Sequence, residues 1–108
     1  MPDFLSPPAA ALRDPKAINM ASIWIAERGL HCSLKVGVYA THPTMAETRA
    51  WGTILADMAR NVADSLIADA AVQGSRDDVI NSIWNAFHDE LSKPAQATAG
   101  GFIGGSQT

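Results

Sequence analysis

The sequence is short of the residues that most protein chemistry relies on. Among its 108 residues there is one cysteine, Cys32. A lone cysteine cannot close an internal disulfide, so nothing points to an oxidising compartment. Charged residues make up 18% and the net charge is −3. That balance argues against a general nucleic-acid binder, which carries a basic footprint. No apolar run reaches the roughly 18 to 20 residues a membrane helix needs. The opening Met-Pro-Asp-Phe-Leu-Ser-Pro-Pro has no basic cluster leading into an apolar stretch, so no signal peptide is expected and the protein reads as cytoplasmic. What is present is apolar. At 47% hydrophobic residues the chain is globular, and its length fits one domain with one modest core. The charge is uneven. Residues 1–42 carry four basic and three acidic groups, while residues 43–108 carry four and eight.

The two ends read as tails. Residues 1–16 hold Pro2, Pro7, Pro8 and Pro15, which fix φ and remove donors, so a flexible N-terminal arm is expected. Residues 94–108 hold Gly100, Gly101, Gly104 and Gly105, which are costly to order, so a disordered C-terminal tail is expected. Residues 17–93 are expected to form a single ββαα domain of the α+β class. Its hairpin runs Ala21–Glu27 and Leu30–Tyr39, with Arg28-Gly29 as the loop. That loop pairs Ile25 with Cys32 and Ile23 with Leu34. It gathers Ala21, Ile23, Ile25, Leu30, Cys32, Leu34 and Val36 on one face. Ser22, Trp24, Ala26, His31, Ser33 and Lys35 take the other. Both strands agree on which face is apolar, which constrains the register.

A long helix follows, expected to start near Thr41 or His42 with Pro43 in its first turn and to end at Gly74. At about 30 residues it would be roughly 45 Å long. Met45, Trp51, Leu55, Met58, Val62 and Leu66 form its apolar stripe, with Glu47, Arg49, Asp57, Arg60, Asp64 and Asp69 mostly off it. Trp51 reads as core filling. Gly52 costs about 1 kcal/mol against Ala inside a helix, which close approach by another element would offset. Ser75 caps the second helix with Asp78 three residues on, a box-like arrangement. Val79, Ile80, Ile83, Trp84, Phe87 and Leu91 supply its stripe, and Lys93 and Pro94 close it. The second helix must fold back along the first.

Few residues suggest chemistry. His31, His42 and His88 do not cluster, and no His or Cys pair has zinc spacing, so no metal or cofactor is expected. Cys32 falls on the apolar face, where it acts as a small hydrophobe. The glycines of the C-terminal tail follow no strand and precede no helix, unlike a phosphate loop. No nucleophile–base set is visible, which leans away from an enzyme. The odd residue is Trp24, an aromatic on the polar face of the hairpin. Either a terminal arm carrying Phe4 and Leu5 folds over it, or it marks an interface, or it is a stacking platform. With Arg28, His31, Ser33 and Lys35 it forms the candidate interaction surface.

Several segments resemble a small bacterial family of uncharacterised proteins, a domain of unknown function. They are Ile23-Trp24-Ile25, Gly29-Leu30, Ser33-Leu34, Trp51-Gly52, Leu55 to Arg60, and Val62-Ala63. The resemblance covers roughly residues 17 to 92 and leaves both tails outside. It implies a free-standing bacterial cytoplasmic protein and brings no activity, cofactor or catalytic residue. The expected role is a protein-interaction or assembly module, as a homodimer or with a protein partner. A small-molecule or peptide binder is the alternative. Nucleic acid is the weaker choice, since the hairpin patch holds only two fixed charges, Arg28 and Lys35.

Overall fold

A computed structural model of the chain describes residues 3–93. The order of elements is α1 (Ala9–Arg13), β1 (Ala21–Ala26), β2 (Gly29–Leu34), α2 (Glu47–Ala68) and α3 (Arg76–Ser92). This is an α+β protein with an antiparallel hairpin followed by two helices. The described residues form two compact units, residues 3–36 and residues 37–93. The expected C-terminal tail, with Pro94, lies outside the described residues.

The N-terminal arm holds a helix that its prolines did not suggest. Pro8 is the N-cap of α1, and its carbonyl accepts from the N–H groups of Ala11 (3.0 Å) and Leu12 (3.3 Å). Proline is tolerated at a helix start because its missing N–H would be unpaired there anyway. The run Ala9-Ala10-Ala11-Leu12-Arg13 then has high helix propensity.

The hairpin turn is Glu27-Arg28, one residue earlier than expected, and Gly29 is the first residue of β2. Glu27 (φ 49°) and Arg28 (φ 65°) both adopt the left-handed region, as a type I′ turn demands. Neither is glycine, so the turn is strained. The pairing it sets offsets that strain. Trp24 opposes His31, Ser22 opposes Ser33, Ile23 opposes Cys32 and Ile25 opposes Leu30, matching like with like across the strands. The shift amounts to two residues in register, so every side chain keeps its expected face. β2 ends at Leu34 rather than Tyr39. Its last bond is Lys35 N–H to the Met20 carbonyl (2.9 Å), after which β1 has no residues left to pair.

In residues 37–93, α2 begins at Glu47, later than expected. The Nδ1 of His42 accepts from the N–H groups of Thr44 (3.2 Å) and Met45 (3.0 Å). Those bonds hold residues 42–45 in a turn and keep Pro43 out of the helix. The other end closes at Ala70, before Gly74. Ala71 N–H bonds to the Leu66 carbonyl and Ala70 N–H to the Ile67 carbonyl, both at 3.0 Å, with Ala70 left-handed at φ 56°. This is a Schellman motif built on alanine instead of glycine. Gly74 (φ 117°) serves the loop that follows. Ser75 and Asp78 make the expected capping box, each side chain bonding the other's backbone N–H.

Packing departs most from expectation. On α2 the buried residues are Ala50 and Ala63, and on α3 Val79. Leu55, Met58 and Val62, expected in the core, are exposed, as are Trp84, Phe87 and Leu91. Ala63 lies one residue, about 100° of arc, round from Val62. The small residues thus take the closely packed positions, and the large stripes are only partly covered, with Trp51, Leu66, Ile80 and Ile83 half-buried. A Cβ built on Gly52 would meet no atom within 4 Å, so no close neighbour explains that glycine. Arg76 and Asp64 join the two helices by an ion pair at 2.9 Å.

Candidate functional site

The outer face of the hairpin follows from its register. Alternation along β1 and β2 puts Trp24, His31 and Ser33 on one face, with Lys35 just beyond the last pair. Arg28 lies in the turn and does not share that face. Trp24 and His31 are direct cross-strand partners. The Nε2 of His31 lies 3.0 Å from the Ala26 carbonyl, so in the tautomer that donates there the ring is tied to the strand. Asn19 Nδ2 donates to Ser22 Oγ at 3.4 Å. Trp24, Asn19, Ser33 and Lys35 help line a shallow open groove of about 310 Å³.

Trp24 is half-buried, and Phe4 is one reason. The two rings are 6.4 Å apart between centroids, tilted by 50°. That is within the range of favourable aromatic pairs. Leu5, by contrast, is 93% exposed. The face expected to be apolar and covered is the more open one on β1: Ile23 and Ile25 are exposed while Ser22 and Trp24 are half-buried. Cys32 is a free thiol, half-buried rather than enclosed.

The three histidines serve separate local roles. His31 reaches the Ala26 carbonyl, His42 organises the turn before α2, and His88 stacks on Trp84 at 6.0 Å. Among the described residues no group of three or more His, Cys, Asp or Glu side chains could hold a metal ion.

Glu47 is the residue that sequence reasoning passes over, placing it only among the charges mostly off the apolar stripe of α2. Its Oε2 accepts from Gly37 N–H (2.9 Å) and from Trp51 Nε1–H (2.9 Å), and its Oε1 accepts from Tyr39 N–H (2.9 Å). The Gly37 N–H is the largest influence holding this carboxyl below its usual value. Partial desolvation opposes it, and the Tyr39 N–H and the Trp51 indole reinforce it. Trp51 four residues on was the available sign, since positions i and i+4 share a helix face. The other two donors come from a loop and leave no such trace.

The family described as a domain of unknown function (DUF5076) matches residues 4–95. The chain belongs to that family. The match begins well before residue 17, so the Phe4 arm and α1 fall within the DUF5076 region. A solved structure from the photosynthetic bacterium Rhodopseudomonas palustrus CGA009, described as a presumed pyruvate dehydrogenase, is similar to the DUF5076 chain. The two share 22% identity with a TM-score of 0.65, over 92% of each chain. This likeness is one of fold. No curated protein matches the sequence. Among the described residues of this DUF5076 chain, no helix is long and apolar enough to cross a membrane.

Proposed function

We propose that the protein is a non-enzymatic assembly module whose partner is a second copy of itself. One observation supports this reading. In residues 37–93 the buried side chains are small, while Leu55, Met58, Val62, Trp84, Phe87 and Leu91 stand 36% to 70% exposed. At roughly 200 Å² for a large side chain, they present on the order of 600 Å² of apolar surface. Summed over α2 and α3, that compares with the roughly 300 to 600 Å² of the largest patch on a typical monomer. It approaches the roughly 800 Å² each partner contributes to a stable interface. Its burial is worth on the order of 15 kcal/mol gross at about 25 cal/mol/Å², before the costs of association are subtracted.

The helical half is acidic, so a like-charged copy needs an uncharged contact. The stripe supplies one. Asp57, Arg60 and Asp64 lie well round α2 from Leu55, Met58 and Val62 at 100° per residue. In this reading the setting is the bacterial cytoplasm, which suits a single free thiol.

A concentration series tests the reading. Association stabilises the folded state by mass action, so Tm rises with protein concentration. Val62→Glu changes a monomer surface by only about 0.5 kcal/mol but places a charge in the proposed interface. The expected result is a wild-type Tm that climbs with concentration and a Val62→Glu Tm that does not. A wild-type Tm independent of concentration would contradict the proposal.

The groove beside Trp24 favours a second reading, a small-molecule or peptide binder on the hairpin face. There, titration with peptide or metabolite mixtures moves the Trp24 indole N–H resonance. A resonance unmoved across the series removes it. The dehydrogenase wording attached to the R. palustrus protein does not enter either reading, because 22% identity supports a shared fold alone.

A further inference from the structure

The hairpin has two edges, and the register says which backbone groups lie on each. Lys35 N–H donates to the Met20 carbonyl, so those two residues face each other through their backbones. Along an antiparallel pair, residues that exchange hydrogen bonds alternate with residues that do not. Ser22, Trp24 and Ala26 therefore direct their N–H and C=O groups toward β2. Ala21, Ile23 and Ile25 direct theirs away, along the outer edge of β1. Among the described residues no backbone hydrogen bond outside the β1–β2 ladder reaches these three.

Natural sheets blunt such edges with lysine, proline, bulges or short strands. β1 reads Ala-Ser-Ile-Trp-Ile-Ala, with no charge and no proline. It pairs six residues with six, without a bulge. β2 differs in holding His31 within the strand, while each strand is followed by exposed charge, Glu27 and Arg28 after β1 and Lys35 after β2. A sheet of two strands is also marginal in water, where three or more with an apolar face are stable.

We infer that the β1 edge is completed by β1 of a second copy, antiparallel across a two-fold axis, giving one four-stranded sheet in the order β2-β1-β1-β2. The inference rests on the self-assembly reading and names an interface for it. A two-fold contact must be self-complementary, and an antiparallel strand pair is. In the register centred on Ile23, that residue opposes its own copy and Ala21 opposes Ile25, so the pairing brings no charge against a like charge. Ile23 and Ile25 are 52% and 87% exposed, and the pairing sets Ile23 beside its own copy and Ile25 beside Ala21 of the copy, at cross-strand contact distance. The apolar row that one hairpin leaves in water becomes continuous across the axis.

Amide hydrogen exchange on the wild-type protein, at a concentration where light scattering gives a dimer, tests this. The amides of Ala21, Ile23 and Ile25 are expected to exchange as slowly as those of Trp24 and Ala26. The outward amides of Leu30, Cys32 and Leu34 stay fast and act as the internal control. Ile23→Pro adds an independent arm, because it removes a donor that β2 does not use. It is expected to weaken the dimer at least tenfold while the slow Trp24 amide reports an intact hairpin. A dimer whose Ala21, Ile23 and Ile25 amides exchange freely would overturn the edge inference and leave self-assembly standing. Protection on the β2 edge instead would also overturn it, as would an Ile23→Pro dimer of undiminished strength. A wild-type monomer at every concentration would overturn both.

Discussion

Three donors converge on the Glu47 carboxylate, from Gly37, Tyr39 and Trp51. This one side chain ties the loop after the hairpin to the first turn of α2. Its charge is what the donors require. The folded carboxyl sits below its ordinary value of 4.5. A lowered folded value contributes stability that is fully present above the unfolded value and is lost as pH falls through the folded one. Glu47→Gln keeps the shape and removes the charge. The variant is expected to melt below wild type at neutral pH, and the gap is expected to close as pH drops below about 4.5. A gap that stayed constant with pH would show that the charge is not what the site uses. Trp24 is the contrasting case. Alternation along β1 was enough to mark it as an aromatic on a polar face, and Phe4 against its ring is one of the alternatives that followed. Glu47 stayed hidden because two of its partners lie eight and ten residues upstream, in a loop whose course no periodicity encodes.

The hairpin and the helices show what periodicity can and cannot fix. The period of two sorts the side chains onto the two faces the structure has, because two strands had to agree, but it does not say which face is covered, and Ile23 and Ile25 lie on the more open one. Glycine is the usual marker of such a turn and points to Arg28-Gly29, whereas two non-glycine residues, Glu27 and Arg28, hold the left-handed positions. That choice leaves a measurable strain. Glu27→Asn together with Arg28→Gly supplies the residues a type I′ turn prefers, and is expected to stabilise the protein by about 1 kcal/mol. Thermal or denaturant unfolding would read the gain. A loss of similar size would mean that Gly29, and not Arg28, occupies the turn. In α2 the period of 3.6 picked out a real apolar stripe, Leu55, Met58 and Val62, but not its role. Periodicity reports which residues share a face. It does not report that Ala63, on a neighbouring face, allows closer packing and so becomes the buried position. The helix ends were misread for a similar reason. An imidazole acceptor at His42 and an alanine at Ala70 do work usually given to a serine or aspartate and to a glycine.

At the scale of the whole molecule, the DUF5076 fold leaves apolar surface that its buried residues do not account for. Ala50, Ala63 and Val79 are the buried hydrophobics among the described residues, against thirteen large ones that are exposed. Ordering a residue costs roughly 1 to 2 kcal/mol, and three small side chains offset little of that. Self-association would cover the α2 and α3 stripes of residues 37–93 and, separately, complete the β1 edge of residues 3–36. The central claim is therefore about mass in solution, and light scattering across a dilution series of the wild-type protein measures it directly. The account predicts at least twice the mass of one chain at high concentration, falling toward one chain on dilution. A mass of one chain throughout the series would contradict it.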